Sequence, residues 1–206
     1  MSDSAQIQSH GRLYLASGSP RRKELLTLLG YQFDIVIPNI EEQQLTHESP
    51  LQYVERLSRQ KAQAGVVMVE TQRNELEQSS TPIPVLGADT IVVVDDLVLE
   101  KPQDFLDFKQ MMLSLSNRKH QVMTSVTVAT SDQYQTKTVI TDVWFKSLTT
   151  KDIEFYWQTG EPCDKAGGYG IQGIGGRFVT QINGSFHAVM GLPLVETDEL
   201  LAAFLE

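Results

Sequence analysis

Cysteine is nearly absent: Cys163 is the single thiol in a chain of 206 residues. One cysteine excludes an internal disulfide and any zinc site built on several thiolates, and it fits a reducing compartment. Long apolar runs are missing as well. No stretch is hydrophobic over the ~20 residues that a membrane-spanning helix needs, and no apolar segment precedes a small-residue cleavage site. A cytoplasmic location is the expectation. Basic residues are in deficit, 17 Lys and Arg against 26 Asp and Glu, for a net charge of −9. That balance argues against broad contact with nucleic acid or an anionic membrane, although it is compatible with a local basic pocket. His47, His120 and His187 lack the spacing of a metal site or a triad and read as structural, as does Cys163. There is no internal repeat and no interdomain linker, and the Ser17 to Arg22 turn is neither a G-x-x-x-x-G-K-[ST] nor a G-x-G-x-x-G loop.

What is present is an ordinary soluble composition, 41% hydrophobic and 21% charged, sized for one large domain or two closely joined lobes. Met1 to His10 is polar and expected to be a flexible end, leaving 11–206 as a single domain. Leu13 to Ala16 reads as a buried strand, Pro20 to Leu29 as a helix capped by Gly30, and Phe33 to Ile37 as a strand. Strand, helix and strand in so few residues open an α/β fold. After Ser49-Pro50 a long helix is predicted to about Thr71, followed by a polar excursion, Gln72 to Thr81, suited to deletion. Ile83 to Val94 is the most apolar strand, turning at Asp95-Asp96 into Leu97 to Leu99. A helix over Gln103 to Leu115, an antiparallel pair over His120 to Ala129 and Thr136 to Leu148, and a helix capped by Thr149 or Thr150 follow. A glycine-dense loop over 167–176, a strand at Phe178 to Ile182 and a helix from about Pro193 to Phe204 complete the chain.

Four places carry chemistry. In Ser17-Gly18-Ser19-Pro20-Arg21-Arg22, Ser19 suits a helix N-cap and Pro20 the first helical position, so exposed N–H groups and a positive dipole end form a seat for an anion. Arg21, Arg22 and Lys23 oppose that dipole by ~0.3–1 kcal/mol each, a pattern that suits a bound phosphate or, alternatively, a solvated face. Asp89, inside the apolar strand, needs a partner, a metal or a raised pKa. With a two-residue turn at Asp95-Asp96, Thr90 lies opposite Lys101; a loop one residue longer puts Asp89 there instead, so either register brings Lys101 within a residue of Asp89 as a candidate partner, for catalysis or as an edge-strand ion pair. Glu41 and Glu42 can join Asp89 around Mg²⁺ or Mn²⁺, or simply form a solvated loop. Lys61 and Lys165 are within reach of phosphate, or solvated, and Gln172 sits among glycines where an amide can read the edge of a base.

Ala16-Ser17-Gly18-Ser19-Pro20-Arg21-Arg22, Gly87-Ala88-Asp89-Thr90, Glu100-Lys101-Pro102 and Asp164-Lys165-Ala166-Gly167-Gly168-Tyr169-Gly170-Ile171-Gln172-Gly173 resemble, in order, the blocks of the Maf family of nucleoside triphosphate pyrophosphatases. The resemblance implies an elongated mixed β-sheet flanked by helices, with two lobes and a central cleft, as in the inosine triphosphate pyrophosphatases. It further implies a nucleoside triphosphate substrate, a divalent metal, a cytoplasmic location and a homodimer. Carried over by position, it makes Asp89 the catalytic acidic residue, a proton acceptor, with Glu42 as supporting carboxylate. Ser17, Arg21, Lys61 and Lys101 match pocket positions. Arg22, Thr90 and Gln172 match positions tied to base selection in the branch acting on dTTP and UTP. The alternatives are the 7-methyl-GTP branch and a non-catalytic regulator of cell division.

Overall fold

The computed structural model describes residues 12–75 and 82–205. In chain order these form β1 (Leu13–Ala16), α1 (Pro20–Leu28), β2 (Phe33–Val36), α2 (Pro50–Glu75), β3 (Val85–Val94), β4 (Leu97–Leu99), α3 (Phe105–Leu115), β5 (Lys119–Ala129), β6 (Tyr134–Phe145), α4 (Thr150–Gln158), β7 (Val179–Asn183), α5 (Phe186–Met190) and α6 (Leu194–Leu205). Three 3₁₀ turns, Glu161–Asp164, Ala166–Gly168 and Ile174–Phe178, connect α4 to β7. The strands make one mixed seven-stranded sheet in the order β2-β1-β3-β5-β6-β7, with β4 also on β3. This is the α/β architecture expected from the sequence.

The sheet forks at β3. Along one edge β1 runs parallel to Val85 and Leu86, while β4 runs antiparallel to Val92–Val94. The opposite edge is covered by β5 from Val85 to Val93. The stretch between Leu86 and Val92 pairs with neither β1 nor β4, and Asp89 is at its middle. Asp95 and Asp96 have φ of 50° and 62°, the left-handed pair that a two-residue hairpin turn demands.

Both faces of β3 are buried, which is why its sequence reads as a continuous apolar run. Val85, Ile91 and Val93 face α2, packing on Val66, Val54 and Leu57. Leu86 and Ala88 face Leu25 of α1 and Leu200 of α6, while Val92 and Val94 meet Phe108 and Met112 of α3. Asp89 therefore points to the α2 side and Thr90 to the α1 side. Gly87 sets the approach of α2, since a β-carbon there would overlap the backbone of Ser58 and Ala62. The helix thus lies against the strand and brings Lys61, beside Ala62, over Asp89.

Some boundaries differ from expectation. Met1–His10 and residues 76–81 of the expected excursion lie outside the described residues, but Gln72–Glu75 belong to α2. Gln, Arg and Glu propagate a helix without supplying the apolar stripe that marks one in sequence. The five-residue α5 is too short to show a period; Ser185 caps its start and Gly191, at φ 114°, its end.

Buried His120 gives stability a pH dependence. Its Nε2 lies 2.8 Å from the Tyr169 hydroxyl, and its pKa falls from 6.5 to about 4, first through burial and second through the charge of Arg118. The unfolded chain takes up a proton near 6.5 and the native state only near 4, so stability is lost as pH falls through that window. The loss approaches about 3 kcal/mol at 1.36 kcal/mol per pH unit. Urea unfolding at several pH values should show this slope and its absence in His120→Gln; equal slopes would contradict it.

Candidate active site

A cleft of about 650 Å³ opens at the fork in the sheet. Its walls bring together Ser17, Arg21, Arg22, Glu42, Lys61, Asp89, Thr90, Lys101, Lys165 and Gln172. Glu41 is exposed and does not line it. The first wall is the β1–α1 turn. Ser19 caps α1 by accepting from the Arg22 N–H, Pro20 takes the first helical position, and Ser17 Oγ accepts from the Ser19 N–H at 3.2 Å. The positive end of α1 and Arg21 thereby face the cleft.

On the α2 side, Lys61 Nζ lies 2.5 Å from Asp89 Oδ1 and 2.7 Å from Glu42 Oε1. The candidate pairing of Asp89 with Lys101 is not what the structure contains. β4 leaves the ladder after Leu99, so Lys101 projects past its end and lies 3.8 Å from Glu42 Oε2, with 61% of its side chain exposed. Burial pushes the Asp89 pKa up, with the charges of Lys61 and Arg22 opposing it. Burial also acts to raise Glu42, but the hydrogen bond and charge of Lys61, with Lys101, hold it below the ordinary value.

On the α1 side, the Arg22 guanidinium is fixed by three neutral oxygens. Nε donates to the Gly191 carbonyl at 2.9 Å, Nη2 to Thr90 Oγ1 at 3.2 Å and Nη1 to Ser17 Oγ at 3.4 Å. Burial lowers its pKa, and the charge of Asp89 works the other way. Thr90 Oγ1 in turn lies 3.0 Å from Thr124 Oγ1, which donates to the Ala188 carbonyl at 2.7 Å. The short α5 thus holds Arg22 and Thr90 in one orientation.

Lys165 Nζ donates to Asp164 Oδ1 at 2.6 Å and to the Glu161 carbonyl at 2.8 Å. Gln172 is exposed on the cleft side of the glycine loop. Three carboxylates in the cleft carry no assignment from the sequence: Glu100, Glu161 and Asp164, the last of which pairs with Lys165. Glu100 accepts from the Tyr53 hydroxyl at 2.9 Å, and burial raises its pKa. Glu161 accepts two N–H groups of the glycine loop. Glu100 has a usable signal, an acid directly after an apolar strand; Glu161 has none, because two of its three hydrogen-bond donors are main-chain N–H groups.

Among the described residues, no three His, Cys, Asp or Glu side chains converge to cage a metal by themselves. Asp89 and Glu42, joined through one ammonium group, are nevertheless a fitting donor pair for Mg²⁺ or Mn²⁺, hard cations held by one or two carboxylates together with substrate phosphates.

A family model described as Maf-like protein matches residues 12–204. The chain belongs to the Maf family. It is similar to proteins named dTTP/UTP pyrophosphatase across nearly its whole length. Identity is 63% with that of Aliivibrio fischeri and 58% with that of Vibrio cholerae, each covering 94% of this chain and 98% of the other. With the Salmonella typhimurium protein it is 56%, over 93% and 92%. Among solved structures, the Staphylococcus aureus Ham1 protein aligns at a TM-score of 0.42 and 14% identity, over 80% of this chain and 78% of that one. Within this Maf chain, no helix of the described residues is long and apolar enough to cross a membrane.

Proposed function

We propose that the protein hydrolyses the α–β phosphoanhydride of dTTP, UTP and related pyrimidine nucleoside triphosphates, giving a monophosphate and pyrophosphate. The observation that carries the reading is the position of Asp89: a buried carboxylate at a fork in the sheet, ringed by Lys61, Arg22 and the α1 terminus. The names of the relatives support it. A triphosphate tail needs cations and N–H donors, which Arg21, Lys61, Lys101 and the first turn of α1 supply. Lys165 extends the same basic wall toward the glycine loop.

Water adds to one of the two linked phosphorus atoms, and the bridging oxygen leaves with the other phosphate. Asp89 either accepts the proton of that water as general base or holds, with Glu42, the Mg²⁺ or Mn²⁺ ion. Such an ion supplies charge neutralisation and a water of lowered pKa when bound. Arg22, Thr90 and Gln172 read the base. The same reading gives a house-cleaning role in the cytoplasm, two lobes within residues 11–206 and a homodimer, without nucleic-acid or membrane partners.

The test is a turnover panel over dTTP, UTP, CTP and 7-methyl-GTP with coupled detection of pyrophosphate. Preference for dTTP and UTP is expected. Faster turnover of the methylated purine would overturn the specificity, and binding without pyrophosphate release would favour a non-catalytic regulator.

A further inference from the structure

The glycine loop has an unusual support. Glu161 Oε2 accepts from the Ile174 N–H at 2.8 Å, while Oε1 accepts from the Gly175 N–H at 3.1 Å and from the Tyr156 hydroxyl at 2.7 Å. The same hydroxyl accepts from the Gly170 N–H at 3.1 Å. Gln172 lies midway between these anchors, so the backbone on both of its sides is tied to one carboxylate–phenol pair. Two glycines of the loop are explained by that pair. A β-carbon at Gly173 would strike the Glu161 carboxylate, and one at Gly175 would come within 2.5 Å of the Tyr156 hydroxyl.

The pair is itself firmly placed. Tyr156 is fully buried, with its ring 5.1 Å from that of Phe178. Burial acts to raise the pKa of Glu161, but the Tyr156 hydroxyl and the two N–H groups outweigh it and hold the acid ionised. Through its main-chain carbonyl, Glu161 also receives the Lys165 ammonium. One residue therefore contacts both the Lys165 ammonium and the backbone that carries Gln172, two of the polar groups that line the cleft.

We propose that Glu161, backed by Tyr156, is a positioning residue for base selection: it fixes the loop so that the Gln172 amide meets the pyrimidine edge. This rests on the pyrophosphatase reading for its substrate. Glu161→Gln replaces an acceptor oxygen by an NH₂ group that faces N–H donors, so the loop loses its register while the rest of the sheet is untouched. Tyr156→Phe removes only the hydroxyl and keeps the ring in the core.

The experiment measures kcat and KM for dTTP and CTP, and dissociation constants for both by calorimetry with metal omitted, in wild type and both variants. Glu161→Gln should raise KM and Kd for dTTP about tenfold, as befits a lost charge-assisted hydrogen bond. Its kcat should fall by less than its KM rises, and the dTTP-over-CTP preference should shrink in both measurements. Tyr156→Phe should move the same quantities less. Variants that weaken dTTP and CTP equally, or a wild type with no preference, would overturn the assignment. A wild type that binds dTTP selectively yet releases no pyrophosphate would defeat the hydrolysis reading instead, and the binding preference of the variants would still judge Glu161.

Discussion

Asp89→Asn lowers the hydrolysis rate about 10²–10⁴-fold, the usual worth of a positioned acid–base group, and leaves the protein folded. The loss follows whichever part Asp89 has, because an amide neither accepts the proton of water nor offers a full charge to a cation. The stability side has its own sign. The native pKa of Asp89 lies above its ordinary value, so the folded protein binds the extra proton in the window between the two. Stability conferred by that proton declines as pH rises through the window, and ionised Asp89 is a net cost above it. Asn removes the cost, and Lys61 still has Glu42 at 2.7 Å. The melting temperature at pH 8 should equal or exceed that of wild type. Near-normal turnover, or a collapsed fold, would refute this account of the residue.

Lys61→Met lowers turnover about 10²–10³-fold, the scale set by removing one fixed donor from developing charge. It also destabilises, because Asp89 is left buried with Arg22 as its nearest source of opposing charge. The two effects separate in a double-mutant cycle. Placed on Asp89→Asn, Lys61→Met should cost less than it does alone, with a coupling free energy of about 1–3 kcal/mol. Denaturant melts of the four proteins measure it. Additive losses would mean that the 2.5 Å contact between Lys61 and Asp89 has no energetic content.

Much of the fold was legible because each signal was local. Ser19-Pro20 and Gly30 bracket α1 through cap chemistry, and the double apolar face of β3 follows from its unbroken hydrophobic run. Of the two hairpin registers the sequence leaves open, the structure has the two-residue turn: Val94 pairs with Leu97 around Asp95-Asp96. What failed was reach. Register arithmetic puts Lys101 opposite Thr90 or Asp89 as though β4 continued, but the strand ends at Leu99 and the cation beside Asp89 comes from α2. The close contacts of Gly87 with Ser58 and Ala62 and of Gly65 with Val85 set that approach, and no periodicity in either element announces it. Glu161 was hidden for a related reason. Its value lies in main-chain N–H groups more than ten residues away, and backbone donors leave no mark in a sequence.

The central claim is that the cleft breaks one particular bond. Phosphorus NMR of dTTP incubated with the protein and Mg²⁺ tests it most directly. The account predicts dTMP and pyrophosphate in equal amounts, with no dTDP or orthophosphate, and unchanged dTTP with Asp89→Asn. Orthophosphate and dTDP from the wild type, or dTTP left intact, would contradict it.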